Sequence, residues 1–366
     1  MKTTVGIDGQ IFAWQSVGGV SRYFSNLLTM AGSTGGDEVA IYPYFTRHRN
    51  AYLQAAGIGL CCPGNTLEEI LVRDLHLLAD GSEAMYPIPN IIHSTYYAGL
   101  PWNTNKNVKA KLVTSLFDMI PECFPGFFPG GSPHLQKLEW LDASDLIISI
   151  SDSASADLLD IRPQLADRLQ TIHLANALTL VDQGPSAAAH DSTPYFLFVG
   201  TRNRYKNWIQ ALKGLSRSLS ALKEHILVFA GGGAADEAEL STIHQLGLSE
   251  RVVFVSPDDQ QLAQLYAGAS AVLVPSLAEG FSLPLVEALA MDVPVFCSDI
   301  TVHREVGQDY CTFLSPTITQ DWADAMAAVH SFQPPSKILG ANYQPKVEYF
   351  SYPRVVDAHK AIYAAL

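Results

Sequence analysis

Residues 271–291 decide the fold: Ala271-Val272-Leu273-Val274-Pro275-Ser276-Leu277-Ala278-Glu279-Gly280-Phe281-Ser282-Leu283-Pro284-Leu285-Val286-Glu287-Ala288-Leu289-Ala290-Met291. The apolar run 271–274 predicts a buried strand, and the segment from Pro284 to Met291 predicts a helix with proline in its first turn. A strand passing through a glycine turn into a helix is the repeating unit of a parallel α/β sheet. The helix start exposes unpaired N–H groups near Phe281, Ser282 and Leu283, and Gly280 lets a ligand approach the backbone, so the junction suits a diphosphate. Glu279 is expected at the strand end facing that ligand, with Glu287, two turns later, reaching a second polar part of it. A nucleotide sugar, with hydroxyls at both ends of a diphosphate, fits this pattern.

The same alternation extends in both directions. Apolar runs at 5–7, 39–42, 91–92, 112–116, 146–150 and 171–174 are separated by segments long enough for helices. One of these is amphipathic, with Val20, Phe24, Leu27 and Leu28 on one face. Runs at 196–199, 226–230, 252–255, 271–274, 293–297 and 312–314 repeat the scheme. The expected fold class is α/β, two Rossmann-like parallel-sheet domains facing across a cleft, with ligands beyond the carboxyl ends of the strands. The small, polar, proline-bounded segment 182–194 reads as the linker. The expected domains are 1–184 and 185–349, followed by a terminal segment 350–366.

Bulk properties agree. The chain has 366 residues, more than one hydrophobic core usually supports. With 48% hydrophobic and 16% charged residues, it has ample material for buried sheets and is not disordered. A formal charge of −13 disfavours a nucleic-acid partner, because phosphate backbones are held by basic surfaces. Two basic clusters, 47–49 and 106–111, could meet a lipid headgroup or phosphorylated acceptor, the competing reading being solvated loops. The opening residues suit a first strand and not a signal peptide, and no apolar run is long enough for a membrane helix. The 5 cysteines lack paired metal spacing and read as reduced packing residues, so a cytosolic location without a metal or redox site is expected.

The spacing Glu279-x7-Glu287 resembles the signature of family 4 retaining glycosyltransferases, which have the GT-B fold. Three further segments fall where that family has them: Gly18-Gly19-Val20-Ser21-Arg22-Tyr23 resembles its N-terminal glycine loop, Val199-Gly200-Thr201-Arg202-Asn203-Arg204-Tyr205-Lys206-Asn207 its basic donor loop, and Phe350-Ser351-Tyr352 the start of its last helix. The resemblance implies that Glu279 contacts the donor sugar near its reacting carbon and that Glu287 accepts hydrogen bonds from the ribose hydroxyls. A carboxylate fork matches a vicinal diol. It also implies that Gly18 and Gly19 approach the diphosphate or sugar, and that Arg202, Arg204 and Lys206 neutralise the leaving diphosphate without a metal. The resemblance supports Arg202 and Lys206 most, with Arg204 competing for the arginine's place, and it makes 1–184 the acceptor side, 185–349 the donor side and 350–366 a helix packing back on the first domain. The competing readings are a turn that merely needs a positive φ and a solvated basic loop. Retention through a covalent adduct and through a front-face ion-pair step both remain open.

One departure is Phe117-Asp118, where many relatives carry His-Asp and use the histidine to position donor hydroxyls. His93 is the candidate substitute, against the reading of a buried, satisfied histidine. Asp118 is placed as a base facing the acceptor hydroxyl or as a cap of the next turn. Tyr96, Tyr97 and Trp102 form a candidate aromatic wall for an acceptor sugar, against the reading of plain core. The Pro- and Gly-rich stretch 124–131 reads as an ordered loop or as a lid or membrane-touching loop, hence an expected peripheral membrane contact.

The implied activity is hexose or deoxyhexose transfer from a nucleotide sugar to a glycan or lipid-linked glycan. GDP-mannose or GDP-rhamnose is favoured over a UDP-sugar, and no cofactor is needed beyond the donor substrate. Competing functions are a non-catalytic nucleotide-sugar binder, an epimerase on the same architecture, and a dinucleotide-dependent oxidoreductase. The last is weak, since Gly231-x-Gly233 meets Asp236 where a third glycine is needed.

Overall fold

The computed structural model describes residues 2–31, 38–45, 47–61, 89–98, 109–178 and 193–366. Trp102, Cys62 and most of the expected linker lie outside the described residues. The chain forms two compact units, one of Met1–Ala177 with Phe350–Leu366, the other of Leu178–Tyr349.

In the first unit, strands β1 (Thr3–Ile7), β2 (Val39–Pro43), β5 (Ile91–Ser94), β6 (Lys111–Leu116), β7 (Leu146–Ser149) and β8 (Leu169–Thr171) form a parallel sheet of order β2-β1-β5-β6-β7-β8. The short strands β3 (Arg47–His48) and β4 (Leu60–Cys61) pair separately. The order runs outward in both directions from β1, so the sheet's switch point lies between β1 and β5. The expected strand 171–174 is instead 169–171, after which the chain leaves the sheet.

The helix Gly19–Ala31 buries Tyr23, Phe24, Leu27 and Leu28. Against it packs the helix Tyr352–Ala365, whose buried His359 Nε2 lies 2.9 Å from Tyr23 Oη. Tyr363 Oη of that helix is 2.5 Å from Nδ1 of His93 on β5. The helix thus completes the polar interior of the first unit.

The second unit carries a parallel sheet of β9 (Tyr195–Val199), β10 (Ile226–Ala230), β11 (Val252–Val255), β12 (Ala271–Val274), β13 (Val295–Ser298) and β14 (Cys311–Leu314), in the order β11-β10-β9-β12-β13-β14. Its switch point lies between β9 and β12. The central strands are buried on both faces, as parallel strands under helices must be, and their sequences are correspondingly apolar throughout. Val293 and Pro294 precede β13 instead of opening it, because Asp292 turns the chain with a φ of 57°. On one flank the helices Trp208–Ser218 and Thr319–Ala327 approach closely at Gly214, where a Cβ would lie 2.9 Å from Met326 Sδ and 3.1 Å from Trp322 Cβ. Any side chain there would push the helices apart.

Candidate functional site

Two loops converge at the switch point of the second sheet. The first follows β9 and holds Arg202, Arg204 and Lys206; the second follows β12 and holds Ser276, Glu279, Gly280, Phe281 and Ser282. They are tied by Leu277 N–H donating to Tyr205 O (2.7 Å) and by Asn207 Nδ2 donating to Pro275 O (3.0 Å). Lys206 Nζ donates to both oxygens of Glu279, at 2.7 and 2.8 Å, and Ser276 Oγ donates to Glu279 Oε1 at 2.7 Å. The Glu279 side chain is only 8% exposed, so its charge is held almost out of water by a cation and a hydroxyl.

Beyond Glu279, the helix Leu283–Ala290 starts with Pro284 in its first turn, as the sequence predicts. Its N-cap is Ser282, at φ 82° and ψ 68°, a left-handed conformation that costs a non-glycine residue about 1 kcal/mol or more. Ser282 Oγ makes no cap hydrogen bond and is buried without a partner among the described residues. A buried hydroxyl without a partner among the described residues, at the mouth of a helix, is a donor that can meet an anion. Phe281 turns its ring into the core. Glu287, also buried, accepts a 2.6 Å hydrogen bond from Tyr266 Oη through Oε2. Tyr266 belongs to the site, although nothing in the sequence beyond its place on an apolar helix face marks it.

The two arginines separate clearly. Arg202 Nε donates to Glu239 Oε1 (2.8 Å), while its terminal nitrogens donate to the carbonyls of Gly231, Gly232, Gly233 and Ala234, and its guanidinium lies 4.7 Å over the Phe254 ring. Its donors are spent holding the glycine turn after β10. Arg204 is exposed at the surface of the loop. The same clamp weakens the dinucleotide reading: the turn directs carbonyls at a guanidinium, and Asp236 caps the helix Glu237–Gln245 by accepting from Glu239 N–H.

In the first unit, Gly18 is fitted around Gln15. A Cβ at Gly18 would lie 2.4 Å from Gln15 Oε1, which accepts from Ser21 N–H at 3.2 Å. The Gln15 carboxamide fills the space beside Gly18 and caps the helix Gly19–Ala31, a contact the sequence reading missed; Gly19 itself is exposed. His93 is fully buried, with Nδ1 bonded to Tyr363 Oη and Nε2 2.9 Å from Ser115 Oγ. With both nitrogens engaged inside the core it has none to offer a sugar, which corrects its candidacy as the substitute for the missing histidine. Phe117 packs edge-on to Tyr23 and Phe24, at 6.0 Å from each.

Asp118 Oδ1 accepts from Ile120 N–H at 3.1 Å, the capping role, and lies 3.5 Å from the buried Lys137 ammonium. Lys137 also donates to Glu122 Oε2 at 2.8 Å. Tyr97 is buried and donates to Ser115 O, a core position, whereas Tyr96 is partly exposed. The basic cluster 47–49 is not a free patch: His48 is buried and Arg49 donates to Trp14 O. Within 124–131 a short turn, Pro125–Phe127, brings Phe124 and Phe127 to 6.0 Å, with Phe124 44% exposed.

Known proteins resemble this chain in sequence and in fold. Residues 184–343 match the family model described as glycosyl transferases group 1. The O-antigen chain mannosyltransferase B of Escherichia coli is 29% identical over 186 residues, 47% of this chain and 48% of that protein. The D-inositol 3-phosphate glycosyltransferase of Nocardia farcinica is 25% identical over 263 residues, 66% of this chain and 58% of that protein. The chain thus spans about half the length of such relatives, and 17% of the serotype-specific mannosyltransferase WbdA of Escherichia coli. Among solved structures, Anabaena HepE in complex with UDP and glucose superposes over 100% of both chains with a TM-score of 0.74 at 15% identity. Sucrose-phosphate synthase from Thermosynechococcus elongatus does so with a TM-score of 0.66 at 17% identity. At such identities the likeness establishes the fold, which is that of GT-B glycosyltransferases. Residues 184–343 are thus similar to the group 1 glycosyl transferases, with mannosyltransferases among the relatives.

Proposed function

We propose that this chain is a metal-independent, retaining hexosyltransferase that binds its nucleotide-sugar donor at the switch point between β9 and β12. The observation that carries the reading is Ser282, strained and with a buried, unpartnered hydroxyl at the mouth of a helix, beside the Lys206–Glu279 pair. In this reading the diphosphate takes the helix N–H groups and Ser282 Oγ, while Arg204 and Lys206 compensate the charge that develops on the leaving group. Glu287 accepts from the ribose hydroxyls. Glu279 faces the reacting carbon. Its lone pairs are drawn toward Lys206 and Ser276, which lowers its nucleophilicity and supports an electrostatic role in a front-face step over a covalent adduct.

The mannosyltransferase relatives support a GDP-mannose-like donor and a glycan or lipid-linked glycan acceptor. Among the described residues no helix is long and apolar enough to cross a membrane, and the exposed Phe124 loop is the surface we assign to any peripheral membrane contact at the cytoplasmic face. The test is thermal unfolding with a panel of GDP-, UDP-, ADP- and TDP-sugars and NAD(H), followed by nucleoside diphosphate release. A selective rise with one nucleotide sugar is expected, since a ligand of the native state stabilises it by mass action. No rise at saturating donor, or a rise with NAD(H) alone, overturns the reading.

A further inference from the structure

The switch point of the first sheet carries a second feature, built from the loops that follow β1 and β5. Trp14 and Tyr96 are stacked there, ring centroids 5.6 Å apart and planes inclined by 27°. Trp14 is 46% exposed, so its indole rests on Tyr96 while much of it stays open to solvent. An exposed tryptophan costs hydrophobic free energy, and the fold fixes this one with unusual care.

The short helix Gln10–Trp14 is bolted to the loop after β5. Gln10 Nε2 donates to Asp8 Oδ2 (2.7 Å) and Ser94 Oγ (3.1 Å), Gln10 Oε1 accepts from Ala98 N–H (2.7 Å), and Ile11 N–H donates to Thr95 Oγ1 (3.0 Å). Trp14 O and Gln15 O are held from the other side by Arg49 Nη2 (2.9 Å) and Asn50 Nδ2 (2.8 Å). Tyr96 is fixed in turn by His134, whose Nδ1 lies 2.8 Å from its hydroxyl and whose ring meets it edge-on. Burial and the nearby Asp118 carboxylate push the Tyr96 phenol up to about 12, keeping it neutral.

We propose that the Trp14–Tyr96 stack is a sugar-binding platform, on which the apolar face of a neutral pyranose of the acceptor glycan packs. The surroundings favour a sugar over the other occupants of an exposed aromatic surface. An apolar ring face next to hydrogen-bonding groups, here the imidazole of His134 and the 28% exposed side chain of Asp118, matches a pyranose, which has C–H groups on one face and hydroxyls at its edge. The nearest charges are the Asp118 carboxylate beside Tyr96 and the Arg49 guanidinium on Trp14 O, one of each sign, so no single-sign patch selects an anionic lipid surface or a phosphorylated ligand. The location is that of ligands in open parallel sheets, beyond the carboxyl ends of two strands that diverge in connection. Calling the sugar the acceptor rests on the transferase reading; its binding does not.

Saturation-transfer NMR on the full chain, with methyl α-mannopyranoside, methyl α-glucopyranoside, methyl β-galactopyranoside and methyl N-acetyl-β-glucosaminide as probes, tests this directly. At least one glycoside should receive saturation from wild-type protein. Trp14→Ala should bind it at least about tenfold more weakly, and Trp14→Phe, which keeps an aromatic face, should retain most of the binding. Equal binding by Trp14→Ala and wild type, or no transfer to any glycoside, overturns the platform. Thermal shifts with nucleotide sugars on the same proteins report the donor site separately. A donor shift that survives in Trp14→Ala shows the variant folded, and its absence from every protein overturns the transferase reading while leaving the glycoside result readable.

Discussion

The Lys206 ammonium bridges both carboxylate oxygens of Glu279, at 2.7 and 2.8 Å, with the two side chains 19% and 8% exposed. Removing one partner of such a pair strands a charge in a poorly solvated place. Lys206→Met should therefore cost about 2–4 kcal/mol, and the double variant Lys206→Met with Glu279→Gln should lose less than the two single losses added together. Urea denaturation of the four proteins measures this coupling. Additive losses would mean that the pair carries no mutual energy.

Arg202 and Arg204 should behave oppositely. Arg202→Ala leaves the carbonyls of Gly231 to Ala234 and the Glu239 carboxylate without their donor, and should lower stability by about 2–3 kcal/mol. Arg204→Ala should leave the unfolding temperature unchanged and weaken nucleotide-sugar binding about tenfold, which calorimetric titration can read. Undiminished affinity in Arg204→Ala would remove that residue from the donor site.

Ser282→Gly separates stability from binding. Glycine accepts a φ of 82° without strain, so the variant should gain about 1 kcal/mol in denaturant titration. It also loses the buried hydroxyl, so affinity for a nucleoside diphosphate should fall. A variant that is more stable and binds equally well would place the strain outside the site.

Acid should loosen the first unit through its histidine pair. His359 donates from Nδ1 to Val355 O and accepts the Tyr23 hydroxyl at Nε2, and burial pushes its pKa down to about 4. Burial, reinforced by His359, also lowers His93. A histidine whose pKa is depressed in the folded state leaves the unfolded chain binding more protons once the pH falls below its ordinary value near 6.5. Stability should thus be flat above about pH 7 and decline from there toward pH 4, by on the order of 3 kcal/mol from His359 alone. His359→Gln should flatten the decline; an unchanged slope would assign it to other groups.

Much of the fold was legible because parallel strands buried on both faces must be apolar throughout, as 196–199, 226–230 and 271–274 are. Strand ends were less legible. Leu174 is buried, yet it lies past the sheet, since an apolar side chain reports burial and not pairing. The helix-mouth loop was marked by local chemistry, Gly280 and Pro284 around Glu279. The division of labour between Arg202 and Arg204 was not, because it depends on carbonyls contributed by another strand's turn. Trp14 escaped for the same reason: its partner Tyr96 gives it meaning only once the loops after β1 and β5 are folded together, whereas Gln15 caps Ser21 within its own loop.

The helix Tyr352–Ala365, which supplies His359 and Tyr363 to the interior of the first unit, also orders events in time. During synthesis the second unit is finished at Tyr349, before those residues have left the ribosome. Until they do, Tyr23 and His93 have a vacant polar neighbour, so the unit begun first should become protease-resistant second. The order of folding should then run opposite to the order of translation, with the unit begun first closing last.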